Sequence, residues 1–155
     1  MVSPLRRLSS LGFGVILVCF FLPWASFSCS GGQPGTVTGA QFLVGTSLEH
    51  TTVEREEWAI ATLVLAATGA ALSLVYPRRH LLILALSVAA LATHAVTAIS
   101  IATHSILESA VGIQVHLAYG YWIVLVSLIL VVGLNGVVLY RERKAAAGSR
   151  SGSGA

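Results

Sequence analysis

Four stretches of the chain are almost unbroken apolar sequence: Leu8–Phe27, Trp58–Tyr76, Leu81–Thr103 and Tyr119–Tyr140. None contains Asp, Glu, Lys or Arg. A helix needs about 20 such residues to cross ~30 Å of hydrocarbon, so each stretch predicts one membrane-spanning helix. The pattern as a whole predicts an all-α membrane protein, a four-transmembrane-helix bundle forming a single domain over residues 1–144. Two polar loops, 28–57 and 104–118, then fall on one side, and the Gly/Ser/Ala-rich tail 145–155 reads as disordered.

Polar punctuation refines these limits. Thr51-Thr52-Val53-Glu54 reads as a capping box before the second span. Pro77 ends that span, and Arg78-Arg79-His80 leaves room only for a tight hairpin into the third. Pro23 predicts a kink near the end of the first span, where it removes one helical hydrogen bond. In the loops, Thr36–Val44 can form a short extended β segment, and the alternation in Gly112–Leu117 allows a matching strand.

Charge changes the picture from spans to orientation. Of 155 residues 55% are hydrophobic and 10% charged, against about 25% charged in a soluble domain, so water is excluded as the solvent of most of the surface. Eight of the nine Lys/Arg (Arg6, Arg7, Arg78, Arg79, Arg141, Arg143, Lys144 and Arg150) fall on one side of the four spans, and only Arg55 on the other. Five of the six acids, Glu49, Glu54, Glu56, Glu57 and Glu108, share the Arg55 side. This is the positive-inside pattern, and it predicts cytoplasmic termini in a bacterial inner membrane. Trp24, Trp58 and Trp122 then all lie at outer span ends, where amphipathic rings favour the interface. Cations placed at span ends do not make a phosphate-binding stripe, so nucleic acid is not an expected partner despite the net charge of +3. The residues before Cys19 and Cys29 make poor lipoprotein cleavage sites, so the first span is expected to be retained.

Within lipid, helices associate through close backbone approach and hydrogen bonds. Thr62, Ala66 and Gly69 form a small-residue stripe on the second span, and Thr93, Thr97, Ser100 and His104 a polar one on the third. Asn135 and Gly136 offer a hydrogen bond and a notch on the fourth. His94 is the sharpest single candidate, because an imidazole at bilayer depth usually faces a partner. It or His104 can be an axial ligand of haem or a chlorophyll-type pigment; the alternative is a packing histidine bonded to a Ser, Thr or carbonyl of a neighbouring span. Cys19 and Cys29 are about ten residues apart, ~15 Å on a helix and too far for a disulfide. His104, His116, Glu108, His50 and Glu49 carry no metal-ligand spacing, so no metal is expected there.

The stretch Leu22-Pro23-Trp24-Ala25-Ser26-Phe27-Ser28-Cys29-Ser30-Gly31-Gly32, with Thr38-Gly39-Ala40-Gln41, Gly45 and Gly120-Tyr121-Trp122, resembles small bacterial four-span membrane proteins of uncharacterised function. The likeness covers about a third of the chain; it implies the same layout and carries over no activity. The layout is also loosely similar to that of claudins, with four spans, cytoplasmic termini and a large first outer loop able to form strands. Trp24 stands near the claudin loop's first tryptophan, but no Gly-Leu-Trp follows and only Cys29 lies in the loop, so no loop disulfide is implied.

The spans hold no carboxylate pair, and there is no phosphate-binding glycine loop or nucleophile elbow. The expected function is therefore non-enzymatic: an accessory or scaffold subunit of a larger inner-membrane complex. Its partners would be membrane lipid and other integral membrane proteins or a second copy, met through Trp24, Phe42 and Trp58. The alternative is a cofactor-bearing subunit in electron transfer or light harvesting, using His94 or His104. A weaker one is a pore for a neutral solute lined by Thr93, Thr97, Ser100 and Asn135.

Overall fold

The computed structural model describes residues 3–29, 35–48, 51–53, 55–76, 79–109 and 113–151. In chain order these form α1 (Ser3–Cys19), β1 (Pro23–Cys29), β2 (Gly35–Thr38), α2 (Gly39–Val44), β3 (Thr46–Leu48), β4 (Thr51–Val53), α3 (Glu57–Val75), α4 (His80–Ser109), β5 (Ile113–Leu117) and α5 (Tyr119–Ser151). Most of the chain is helical. Three helical segments, Glu57–Val75, His80–Thr103 and Tyr119–Ala145, are long and apolar enough to cross a membrane.

The second, third and fourth apolar stretches become α3, α4 and α5. The first does not become one helix to Phe27. α1 stops at Cys19, Phe20–Leu22 turn, and the rest of the stretch leaves as β1. Pro23 explains the break better than a kink does. It lacks an N–H and disfavours helical geometry at Leu22, so the helix ends before it instead of bending through it. The orphaned carbonyls at the end of α1 are recovered locally. The Phe20 carbonyl accepts from the Ala40 N–H at 2.7 Å, the Leu22 carbonyl from Gly39 N–H at 3.3 Å, and the Cys19 carbonyl from Trp24 Nε1 at 3.1 Å. The N-terminus of α2 is thus docked on the C-terminus of α1, which also sets opposite dipole ends together.

Two further expectations shift along the chain. Thr36–Val44 is extended only to Thr38; Gly39–Val44 is helical because Thr38 and Gln41 form the capping box. The Gln41 N–H donates to Thr38 Oγ1 at 3.3 Å, and the Thr38 N–H donates to Gln41 Oε1 at 2.8 Å. The box expected at Thr51–Glu54 does not form: Thr51–Val53 is strand β4, Glu54 lies outside the described residues, and α3 begins after Glu56 without a side-chain cap. At the far end, α5 continues as helix through the segment 145–151, where Ala145–Ala147 are strong helix formers.

β1 is the centre of a three-stranded antiparallel sheet, with β2 on one side and β5 on the other. Ala25 pairs with Val37 and Leu117, and Ser26 with Thr36 and His116, with a register irregularity between Pro23 and Ala25. The strand expected over Gly112–Leu117 is therefore present as β5. β3 and β4 form a separate hairpin, Thr46 opposite Val53. α1 lies between α3 and α5, and α3 pairs with α4, so the helices enclose a core of Phe13, Ile16, Phe20, Trp24, Val124 and Leu128.

Candidate functional site

The starts of β1 and α5 meet the middle of α4, and they bring together Trp24 from β1, His94 from α4 and Tyr121 from α5. Each is essentially sealed from solvent. The His94 and Tyr121 rings stack at 4.2 Å between centroids and 15° between planes. Trp24 meets His94 edge-on at 5.1 Å and Tyr121 at 6.2 Å, both favoured aromatic geometries. The hydrogen bonds are reciprocal. His94 Nε2 lies 3.2 Å from the Tyr121 carbonyl, and the Tyr121 hydroxyl donates to the His94 carbonyl at 3.1 Å. A carbonyl only accepts, so Nε2 carries the proton and Nδ1 holds a lone pair, which meets no donor among the described residues.

The surrounding glycines are shaped to this cluster. A Cβ on Gly39 would stand 2.6 Å from the Trp24 indole, and one on Gly120 would collide with the Pro23 carbonyl. Pro23-Trp24, Thr38-Gly39-Ala40-Gln41 and Gly120-Tyr121 therefore meet at one place and fix how sheet and helices join. Tyr121, Gly39 and Gly120 had not been assigned this role from sequence; the Thr38-x-x-Gln41 spacing of a capping box was the signal that could have found Gly39.

This geometry bears on each candidate. The His94 ring is stacked on Tyr121 and met edge-on by Trp24, and its Nε2 is engaged by the Tyr121 carbonyl. His104 lies within α4, but its side chain is outside the described residues, as is that of Cys29. Among the described residues no group of three His, Cys, Asp or Glu is placed to hold a metal ion.

The expected contact surface is corrected in two of its three members. Trp24 is 0% exposed and Phe42 5%, while Trp58 is 47% exposed. β1 turns Trp24 inward, and the Cys19 carbonyl satisfies its indole N–H, so burial leaves no polar group unpaired. Phe42 is carried inward by α2, whose exposed residue is Val44.

The helix-packing residues sort by interface. Thr62 Oγ1 is 2.9 Å from Thr93 Oγ1 across α3 and α4, Ala66 is fully buried, and Gly69 receives the Phe13 ring of α1. Asn135 joins α5 to α1: its Nδ2 donates to Ser9 Oγ at 3.0 Å and to the Val131 carbonyl at 2.8 Å. Gly136 is not a close-approach position, since a Cβ there would meet nothing within 4 Å; the tight notch is Gly12, against Val131. Thr93 meets Thr62 of α3, Thr97 bonds the Thr93 carbonyl within α4, and Asn135 meets Ser9 of α1. Ser100 donates to Glu56 Oε2 at 3.2 Å beside the start of α3. At the opposite end His80 Nε2 lies 3.2 Å from Glu142 Oε1, a contact between α4 and α5 without hydrogen-bond alignment.

No protein-family model matches this sequence, and no curated protein matches it.

Proposed function

We propose that the chain is a four-span protein of the bacterial inner membrane, with both termini cytoplasmic, that works by binding. It would serve as an accessory or scaffold subunit of a larger assembly rather than as an enzyme. The observation that carries this reading is the use made of polar groups at bilayer depth. Thr62 bonds Thr93, Asn135 bonds Ser9, and His94 bonds Tyr121, each joining two elements of the same chain.

The four-span layout has its own support. Trp58 and Tyr76 on the α3 segment are exposed and eighteen residues apart, as are Trp122 and Tyr140 on α5. Eighteen residues of helix rise ~27 Å, close to the thickness of hydrocarbon. The apolar part of α1, Leu8–Cys19, rises only ~18 Å. In the four-span reading the chain continues the crossing through the Phe20–Leu22 turn, where the Phe20 and Leu22 carbonyls are bonded inside the protein, as non-helical backbone in a membrane must be.

With Trp24 and Phe42 inside, the partner surface centres on Trp58 and Val44, both exposed. Purification in mild detergent is expected to yield a particle with a stoichiometric second subunit or a homo-oligomer. Trp58→Ala is expected to weaken that association at least about tenfold, as removal of an aromatic anchor does. A strictly monomeric particle, unchanged by Trp58→Ala, would contradict the binding role.

A further inference from the structure

Beyond the second aromatic girdle, the end of the molecule carrying Tyr76 and Tyr140 is strongly cationic. Arg79, Arg141, Arg143 and Lys144 are all exposed there. The Arg79 guanidinium lies 5.7 Å from the centre of the Tyr76 ring, which holds it at the level of the girdle. Arg143 and Lys144 stand three and four residues beyond Tyr140, on the same helix face and ~6 Å farther along the axis. That step carries a side chain from the hydrocarbon edge into the headgroup layer, which is about 5–7 Å deep on each side.

Two features set this charge apart among the described residues. Glu142 is the one acid in the sequence beyond Tyr140, and it faces His80 of α4. Among the described residues none of the four cations pairs with a carboxylate. They are also not on a loose tail. α5 remains helical to Ser151, so Arg141, Arg143 and Lys144 are held at fixed heights instead of sampling the bulk.

We infer that this collar binds the phosphate headgroups of anionic lipids, and that an anionic lipid shell is the ligand of this end of the protein. The inference rests on the four-span reading above but not on the existence of a protein partner. Each cation at the headgroup level is worth about a fivefold preference for anionic over neutral lipid.

The test is native mass spectrometry of the full chain ejected from nanodiscs of mixed phosphatidylglycerol and phosphatidylcholine. At about 0.1 M salt the wild type is expected to retain phosphatidylglycerol at least about fivefold over phosphatidylcholine, and to lose the preference near 1 M, where screening shortens to ~3 Å. The triple variant Arg141→Gln, Arg143→Gln, Lys144→Gln should fall to near-equal retention, while Arg55→Gln, at the other end, should leave the preference intact. If the triple variant does not insert, Arg143→Gln alone should lower the preference severalfold. Equal retention by the wild type, or an equal loss in Arg55→Gln, would overturn the inference. So would displacement of the lipid by excess inorganic phosphate, which would make free phosphate the ligand. A chain that keeps its lipid preference yet fails topology mapping would sink the four-span reading and not the collar.

Discussion

His94 shows what a single buried polar residue does here. An imidazole left alone at bilayer depth is costly, and the chain meets that cost by trading bonds with one residue: His94 to the Tyr121 backbone, Tyr121 to the His94 backbone. Its bonding to a neighbouring carbonyl was legible from sequence as a class of partner; Tyr121 itself was not, because the pairing depends on where α5 begins relative to α4. Trp24 was misread for a related reason. As an interfacial tryptophan it belongs at a membrane surface, but the turn before β1 rotates it into the core. Variants rank these contributions. Tyr121→Phe should lower unfolding stability by about 1 kcal/mol, the worth of one such hydrogen bond in a membrane protein. Trp24→Ala should cost about 3–5 kcal/mol through the cavity it leaves. Gly39→Ala should also be strongly destabilising, since its Cβ meets the indole and the Phe20 carbonyl. Reversible unfolding of the purified protein in detergent measures all three; a Trp24→Ala variant as stable as the wild type would remove the cluster from its central position.

Among the elements, α3, α4 and α5 were legible almost whole, because long uncharged runs admit few structures in lipid other than helix. The first span was not, because composition is blind to a backbone that leaves the helix while staying apolar. Residues Pro23–Phe27 have the right composition for a span and the wrong local geometry. Capping signals failed by ambiguity: Thr51–Glu54 and Thr38–Gln41 both fit the pattern, and only the second has α1's free carbonyls beside it to reward the docking. That docking predicts slow hydrogen exchange for the Ala40 amide, comparable with the α1 interior, although Ala40 lies in the first turn of a short helix; fast exchange there would show that α2 does not close the end of α1. Between α1 and α5, Asn135→Leu removes the bond to Ser9 and should cost about 1 kcal/mol. Ser9→Ala in the same background should then add little, and an additive loss in the double variant would deny the coupling.

At the scale of the whole molecule, two patterns found separately describe the same slab. In the proposed layout exposed aromatic rings mark its faces ~27 Å apart on two helices, and Arg79, Arg141, Arg143 and Lys144 are exposed beyond the face marked by Tyr76 and Tyr140. In that layout the sheet and the hairpin would sit beyond the other face, with Arg55. Function was the least legible level, since the polar residues the sequence places inside the spans, Thr62, His94 and Asn135, bond other residues of the same chain. The four-span layout underlies the rest of the account, and membrane-impermeant thiol labelling in intact cells tests it most directly. In a Cys19→Ala background, Cys29 and an introduced Ser47→Cys should label from outside. Ser3→Cys and Ala147→Cys, each with Cys29 also replaced by Ala, should label only after permeabilisation. Labelling of Ser3→Cys or Ala147→Cys in intact cells at the level of Ser47→Cys would contradict four crossings with both termini inside.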